Sequence, residues 1–385
     1  MDWLRRNWRL AAAVLAVVAL LAAAGLFGIG WYYAGEIKAG AFDIDNNPPE
    51  FNLEITVVDA ETVTFRHPEE DGRWTRPGTW GLDSENAYVL AREIVDSAEG
   101  VATREWFSMG HGVPEDGDRA RIDPAAYPSD PMDAHGLDYD EVTYSSPLGE
   151  FGAWLVPVDG EADDTWVIHV HGRTSNRDEA LRIMPVIHDL GIPQLVIDYR
   201  NDEGSPRDPS GEYRFGVTEW EDLEGAVRYA LDNGAEDVAL YGYSMGGAVI
   251  SSFLYESDLA DRVSGAVMDA PMLDFSATVD LASSERGVPG PVTAVAKLVT
   301  TLRFGTDWEA MDYLRRSDEL AAPILLFHGT EDATVPISTS EELAAQRPEL
   351  VTYVPINGAG HVEGWNVARD AYERRVRDFL ETVVE

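Results

Sequence analysis

Residues 240–249 read LYGYSMGGAV, and the reading of this stretch decides the fold. Ser244 is either a nucleophile raised on a sharp turn or a small polar residue in a glycine-rich bend. The run before it, DVALYGY (237–243), has the apolar character of a buried strand, and MGGAVISSFLYES (245–257) follows with helical character. The backbone must therefore reverse at or beside Ser244. Gly242 and Gly246, two residues to either side, remove side chains that would collide in so tight a turn, and Gly247 lets the helix approach the sheet. This is the G-x-S-x-G nucleophile elbow, which projects the serine hydroxyl clear of the sheet beside a helix N-terminus. A dinucleotide-binding loop would require G-x-G-x-x-G, and its second glycine position is occupied by Ser244 itself.

Working outward, strands and helices alternate from residue 165. TWVIHVHG, QLVIDYR, DVALYGY, SGAVMDAP, PILLFHGTED and VTYVPING read as strands. NRDEALRIMPVIHDLG, TEWEDLEGAVRYALDNG, EELAAQ and VARDAYERRVRDFLETVV read as helices between and after them. Apolar strands separated by amphipathic helices predict an α/β fold with a mostly parallel sheet and helices on both faces. Catalytic groups on such sheets lie at the carboxyl ends of the strands. Residues 272–320 form a longer inserted segment.

A serine hydroxyl needs a base, and on this architecture the acid and histidine follow it in the chain. Only His328 and His361 come after Ser244. His361 stands in a glycine-bordered loop, NGAGHVEGW, directly after VTYVPI, and is the expected base. His328 ends PILLFHG and is read as structural. Asp332, in the turn HGTEDATVP, is the preferred orienting acid over its neighbour Glu331, with Asp274 as the fallback. Backbone N–H groups of Met245 and of Arg173, in the turn after TWVIHVHG, are the expected oxyanion donors. His169 and His171 share a strand face, but no third metal ligand accompanies them, so neither metal nor organic cofactor is expected.

The remainder of the chain bears on location. No residue is charged between Arg9 and Glu36, a stretch long enough to cross a hydrocarbon core of roughly 30 Å. Arg5, Arg6 and Arg9 precede it and Trp31, Tyr32 and Tyr33 close it, which predicts a cytoplasmic N-terminus (1–9) and an anchor over 10–35, with everything beyond on the outer side. The rival is a signal peptide cleaved near Ala22-Ala23-Ala24. Residues 36–52 read as a polar spacer; within them and just beyond, Asp43, Asp45, Asn47 and Glu54 have calcium-loop spacing, but Pro48 stands where that loop needs glycine. Short strand-like runs mark 53–139 as β-rich, either a small β element or the opening strands of the main sheet, with 111–137 loop-like. With 69 acidic against 29 basic residues and a net charge of −40, the chain should repel nucleic acid. It has no cysteine, which excludes disulfides and thiolate chemistry.

HGRTSNR, DYRNDEGS, GYSMGG, HGTEDATVP and GAGH, in this order and spacing, resemble the α/β-hydrolases, and most closely the bacterial serine hydrolases of the serine aminopeptidase and prolyl oligopeptidase-related branch. The resemblance spans about 140–385. It implies a sheet of about eight strands, a Ser244-Asp332-His361 triad, an oxyanion hole from Arg173 and Met245, and a small helical cap over 272–320. One departure stands out: Arg200 is followed by Asn201, Asp202 and Glu203 where relatives usually carry R-G-x-G-x-S. The leading functional expectation is an esterase acting on a small-molecule acyl substrate. An aminopeptidase-like amide hydrolase and a non-catalytic binding protein are the alternatives.

Overall fold

The computed structural model describes residues 2–47, 49–67, 75–98, 100–158 and 164–384. A long helix, α1 (Asp2–Ile37), leads through a π-type turn (Lys38–Phe42) to a closed antiparallel barrel. Its strands are β1 (Leu53–Val58), β2 (Thr62–Arg66), β3 (Trp80–Ser84), β4 (Ala87–Ala98), β5 (Val101–Gly112) and β6 (Arg119–Asp123), closed in the order β1-β2-β5-β4-β3-β6. Leu53, Ile55, Phe65, Trp80, Leu82 and Val89 fill its interior. The sequence suggested β1, β2 and β4. It missed β3, β5 and β6, which carry glycines and charges on their outward faces, and it read β6 as loop.

After a short helix, α2 (Pro131–His135), the main sheet opens with an antiparallel hairpin of β7 (Asp140–Ser146) and β8 (Gly149–Val156). The strands β9 (Thr165–Val170), β10 (Gln194–Ile197), β11 (Asp237–Tyr243), β12 (Val263–Asp269), β13 (Ile324–Gly329) and β14 (Val351–Ile356) run parallel to one another. The eight strands lie in the order β14-β13-β12-β11-β9-β10-β8-β7. The residues expected to form a helix after β9 instead form a 3-10 segment (Arg177–Arg182) and the one-turn α3 (Met184–His188), because Pro185 follows at once and fixes a new helical start. Longer helices cover the faces: α4 (Trp220–Asp232), α5 (Met245–Glu256), α8 (Ile337–Gln346) and α9 (Gly364–Val383). Two apolar clusters result, one on each face of the sheet. Between β12 and β13 the inserted segment forms α6 (Phe275–Glu285), α7 (Gly290–Phe304) and two 3-10 turns.

Residues 36–52, expected as a spacer, lie against the catalytic fold as far as Asn46. Lys38 reaches Asp43 (2.6 Å) and Glu212 (2.8 Å), the Tyr213 N–H donates to Phe42 O, and Asn46 Nδ2 donates to Asn201 O. Phe42 is buried among Phe215 and Phe275, ring centroids 5.7 and 5.2 Å away. Burial of that ring, worth roughly 2–3 kcal/mol, explains why a polar-looking stretch is seated.

The unusual Asn201-Asp202-Glu203 turn supports the loop after β9. Asp202 Oδ2 accepts from buried His171 Nε2 (2.9 Å) and from the Tyr199 N–H (2.7 Å), while the Tyr199 hydroxyl donates to His171 O. Arg200 is clasped by Asp222, Asp208 and Glu221. Burial disfavours a charged His171, but the facing Asp202 carboxylate outweighs it and lifts the imidazole pKa to about 9. A folded-state pKa above the unfolded value means stabilisation that is complete below about pH 6.5 and lost as pH rises through about 9. Asp202→Asn should therefore cost roughly 3 kcal/mol near pH 6, and the gap to the parent should close above about pH 9. Chemical unfolding of both proteins across that range checks it; a gap independent of pH would contradict the pairing.

Candidate active site

Ser244 follows β11 and precedes α5 with φ 50° and ψ −112°, a conformation that costs a non-glycine residue of order 1–3 kcal/mol. Its surroundings hold it there. The Ser244 N–H donates to Asp269 O (2.9 Å), and Ser244 O accepts from the N–H groups of Met272 and Gly247, each at 3.0 Å. A Cβ on Gly246 would lie 2.0 Å from Val170 O, and one on Gly242 would lie 2.6 Å from Ile250 Cδ1. The two elbow glycines are thus demanded by the approach of α5 to β9 and β11.

The structure brings together the three residues singled out in the sequence. The Ser244 hydroxyl donates to His361 Nε2 at 2.8 Å, and His361 Nδ1–H donates to Asp332 Oδ2 at 2.7 Å. Ser244 and His361 are half-buried, and the Asp332 carboxylate is fully enclosed. Burial by itself would raise the Asp332 pKa. Hydrogen bonds from His328 and His361 prevail, together with their charge, and hold it well below the usual carboxylate range. Its second oxygen accepts from the N–H groups of Thr334 (2.8 Å) and Val335 (2.9 Å). Glu331 faces solvent beside Arg76, and Asp274 caps the N-terminus of α6.

His328 has more than the packing role read from sequence. Its Nδ1 meets the Ser340 hydroxyl at 2.8 Å, and its Nε2–H points between Val335 O (3.1 Å) and Asp332 Oδ2 (3.2 Å). Asp332 is therefore gripped by two imidazoles and two backbone amides. The signal in the sequence was the spacing of His328 and Asp332 across one tight turn. The His361 loop is steadied from two further sides. Gly360 N–H donates to Glu363 Oε2, which meets Arg76 of the barrel segment, and Arg182 Nη1 donates to Val362 O at 2.8 Å. Arg76 and Arg182 lie far from this loop in sequence and carried no local pattern.

The loop after β9 lies directly against the elbow: a Cβ on Gly172 would stand 3.3 Å from Ser244 Cβ. Glu179 Oε2 accepts the Gly172 N–H at 2.8 Å and fixes the turn. Among the described residues, the backbone N–H groups of Arg173 and Met245 are donated to no other protein group, and Met245 opens α5. Two free donors, one at a helix N-terminus, flank the serine, as an oxyanion site requires. His169 bonds Gln194 (3.0 Å) and stacks on Tyr241, whereas His171 bonds Asp202, so the two histidines of β9 and its exit serve separate networks. No cluster of metal-ligating side chains occurs among the described residues. The hydroxyl faces a cavity of about 370 Å³, walled by Phe215, Met272, Phe275, Val279 and Val335 and by Gly40 and Ala41 of the π-type turn.

This architecture has many relatives. The YqkD protein of Bacillus subtilis (strain 168) is 26% identical over 223 residues, covering 56% of this chain and 71% of its own length. Among solved structures, the Pyrococcus furiosus esterase Pf2001 superposes with a TM-score of 0.54 at 21% identity, over 67% of this chain and 96% of its own. A Mycobacterium tuberculosis puromycin-hydrolyzing peptidase superposes with a TM-score of 0.53 at 19% identity, over 85% of this chain and 47% of its own. At such identities these likenesses speak to the fold. The sequence model of the alpha/beta hydrolase family matches residues 167–375, more than half of the chain and the span that carries Ser244, Asp332 and His361. The chain belongs to the alpha/beta hydrolase family.

Proposed function

We propose that this protein is a membrane-anchored serine hydrolase that cleaves a carboxylic ester through an acyl-enzyme on Ser244. The observation that carries the reading is the unbroken hydrogen-bond relay from Ser244 Oγ through His361 to Asp332. His361 Nε2 takes the hydroxyl proton as Ser244 Oγ bonds to the acyl carbon, and the carbonyl π electrons move onto oxygen. The Arg173 and Met245 N–H groups receive that oxyanion. As the intermediate collapses, the bond to the alcohol breaks and His361 Nε2–H protonates the departing oxygen. Water then enters, gives a proton to His361 and attacks the acyl carbon, and a second collapse frees the acid and restores the Ser244 hydroxyl. Asp332 stays ionised throughout, fixing the imidazole tautomer and stabilising its transient charge. The cavity beside Ser244 has apolar walls from Phe215, Met272, Phe275, Val279 and Val335, which suit an acyl group, with Arg173, Glu285 and Arg286 also in its lining.

Ser244→Ala should lower kcat/KM for short p-nitrophenyl esters by roughly 10³-fold or more, and covalent labelling by a fluorophosphonate should disappear. A variant that retains parent activity defeats the assignment. Asp332→Asn should lower kcat by roughly 10³- to 10⁴-fold with little change in KM, because the tautomer rather than substrate contact is lost. Aminoacyl anilides assayed beside the esters test the bond type; faster turnover of the anilides would favour the peptidase reading.

The anchor reading rests on α1, which exposes Leu10, Leu15, Leu20 and Leu21 along an uncharged shaft. Arg5, Arg6 and Arg9 at its start favour an N-terminus in the cytoplasm and a catalytic fold outside. Full-length protein should stay in the membrane pellet after alkaline carbonate extraction. Its release would rule the anchor out.

A further inference from the structure

The cavity at Ser244 does not end at the cap. A second cavity, about 110 Å³, lies between the end of α1 and the cap helices α6 and α7. Gly40, Ala41, Val279, Ala282 and Arg286 line both, so the two abut along a shared wall. Beyond that wall the second cavity is bordered by Tyr33, Glu36 and Ile37 of α1, Ser283 of α6, Val288 of the connecting loop, and Thr293 and Ala296 of α7. Together the two cavities extend from the serine toward the flank of α1, lined mostly by apolar groups, with Arg173, Glu285, Arg286 and Glu36 as the charged members.

The far end of this passage is set at a defined height on α1. A Cβ on Gly30 would meet Val295 Cγ1 at 2.5 Å, so α7 packs onto α1 as closely as a glycine permits. Ala34, one turn on, is wholly buried, and Arg303 of α7 donates to Trp31 O at 2.8 Å with its guanidinium 4.0 Å from the centre of the Trp31 ring. These contacts fall on the last turns of the uncharged stretch, at its aromatic belt. On its outer face α7 exposes Leu298 (56%) and Leu302 (69%), spaced i, i+4, with Pro291 and Ala294 on the same side. In a chain of net charge −40, α7 carries no acidic residue, only Lys297 and Arg303. This leucine face lies on a helix packed against the last apolar turns of α1, where exposed apolar surface suits an interfacial position.

We propose that the seam between α1 and the cap helices is an access route through which the acyl chain of a single-chain membrane amphiphile, such as a monoacylglycerol, passes from the outer leaflet to Ser244. The proposal rests on the hydrolase and anchor readings above. The cap seats its leucine face in the interfacial region. The chain lies in the seam against Ile37, Val279 and Ala296, and the ester reaches the oxyanion donors. Neither end of the substrate needs to cross open water.

The test uses full-length protein in phosphatidylcholine vesicles, with monooleoylglycerol in the bilayer and p-nitrophenyl acetate in solution as substrates. Fluorophosphonate labelling counts competent active sites, and flotation after alkaline washing scores membrane integration. Ser283→Trp fills the seam, Ser283→Ala leaves it open, and the double variant Leu298→Glu, Leu302→Glu makes the cap face charged. Per labelled site, the ratio of monooleoylglycerol to acetate turnover should fall about tenfold or more in the tryptophan variant and in the double variant, and hold in the alanine variant. Integrated, labelled Ser283→Trp protein with the parent ratio overturns the seam while both underlying readings stand. Protein that labels but does not float removes the anchor, and protein that floats but neither labels nor cleaves either ester removes the hydrolase reading. The proposal falls with either.

Discussion

The reversal at Ser244 is the constraint around which the rest of the fold is arranged. A serine held at φ 50° is strained, and the strain persists only because three strands and a helix converge on it. β9 passes so close to α5 that residue 246 has no room for a side chain, and β12 and the segment beyond it supply the hydrogen bonds to the Ser244 N–H and carbonyl. The same convergence decides the chemistry. It turns the hydroxyl toward the end of the sheet where the loops after β13 and β14 place Asp332 and His361. It also leaves the first N–H of α5 without an intrahelical partner, where negative charge would develop in the acyl transfer proposed above.

The acid side of the relay shows how this chain manages a buried charge. Taking a carboxylate out of water costs several kcal/mol unless hydrogen bonds replace the lost solvation. Asp332 has four such bonds, two from backbone amides and two from imidazoles. Such a set leaves the carboxylate little freedom to rotate, which in turn orients the His361 ring. In the proposed reaction His328 would act on Ser244 through Asp332, without touching substrate. The histidine loop is restrained from the β-barrel segment as well, through Arg76 and Glu363, so residues nearly 300 positions apart share in setting one imidazole.

Legibility in the sequence followed the range of the interactions involved. The elbow, the alternation of parallel strands with helices, and the order of Ser244, Asp332 and His361 are written in short local patterns, because steric demands at a tight turn and burial on both sheet faces act over a few residues. The barrel was only half visible. β6 alternates charged residues with Ala120 and Ile122, and β5 mixes charged, aromatic and glycine residues without a strict apolar alternation, so neither has the simple pattern of a half-buried strand. The role of Asp202 was illegible for a different reason: its partner His171 lies 31 positions away, on another loop, and neither residue has a local pattern that announces the other. The sequence marked the Asn201-Asp202-Glu203 turn only as a departure from the related pattern, and in the structure it braces the loop after β9 through His171.

The seating of residues 38–46 changes what an N-terminal apolar helix means for an enzyme of this family. A free coil over 36–52 would let the α/β fold wander about 20 Å from the end of α1 and sample all orientations. Here the chain passes from α1 into an aromatic cluster of Phe42, Phe215, Phe275 and Trp308, two of which, Phe215 and Phe275, also line the cavity at Ser244. α7 grips α1 from the side at Gly30 and Trp31. Any tilt of α1 is thereby imposed on the cap, and the cap forms one wall of the cavity at Ser244. The apolar helix is thus packed against the elements that wall the pocket, and the position of the pocket relative to the last apolar turn is fixed by that packing.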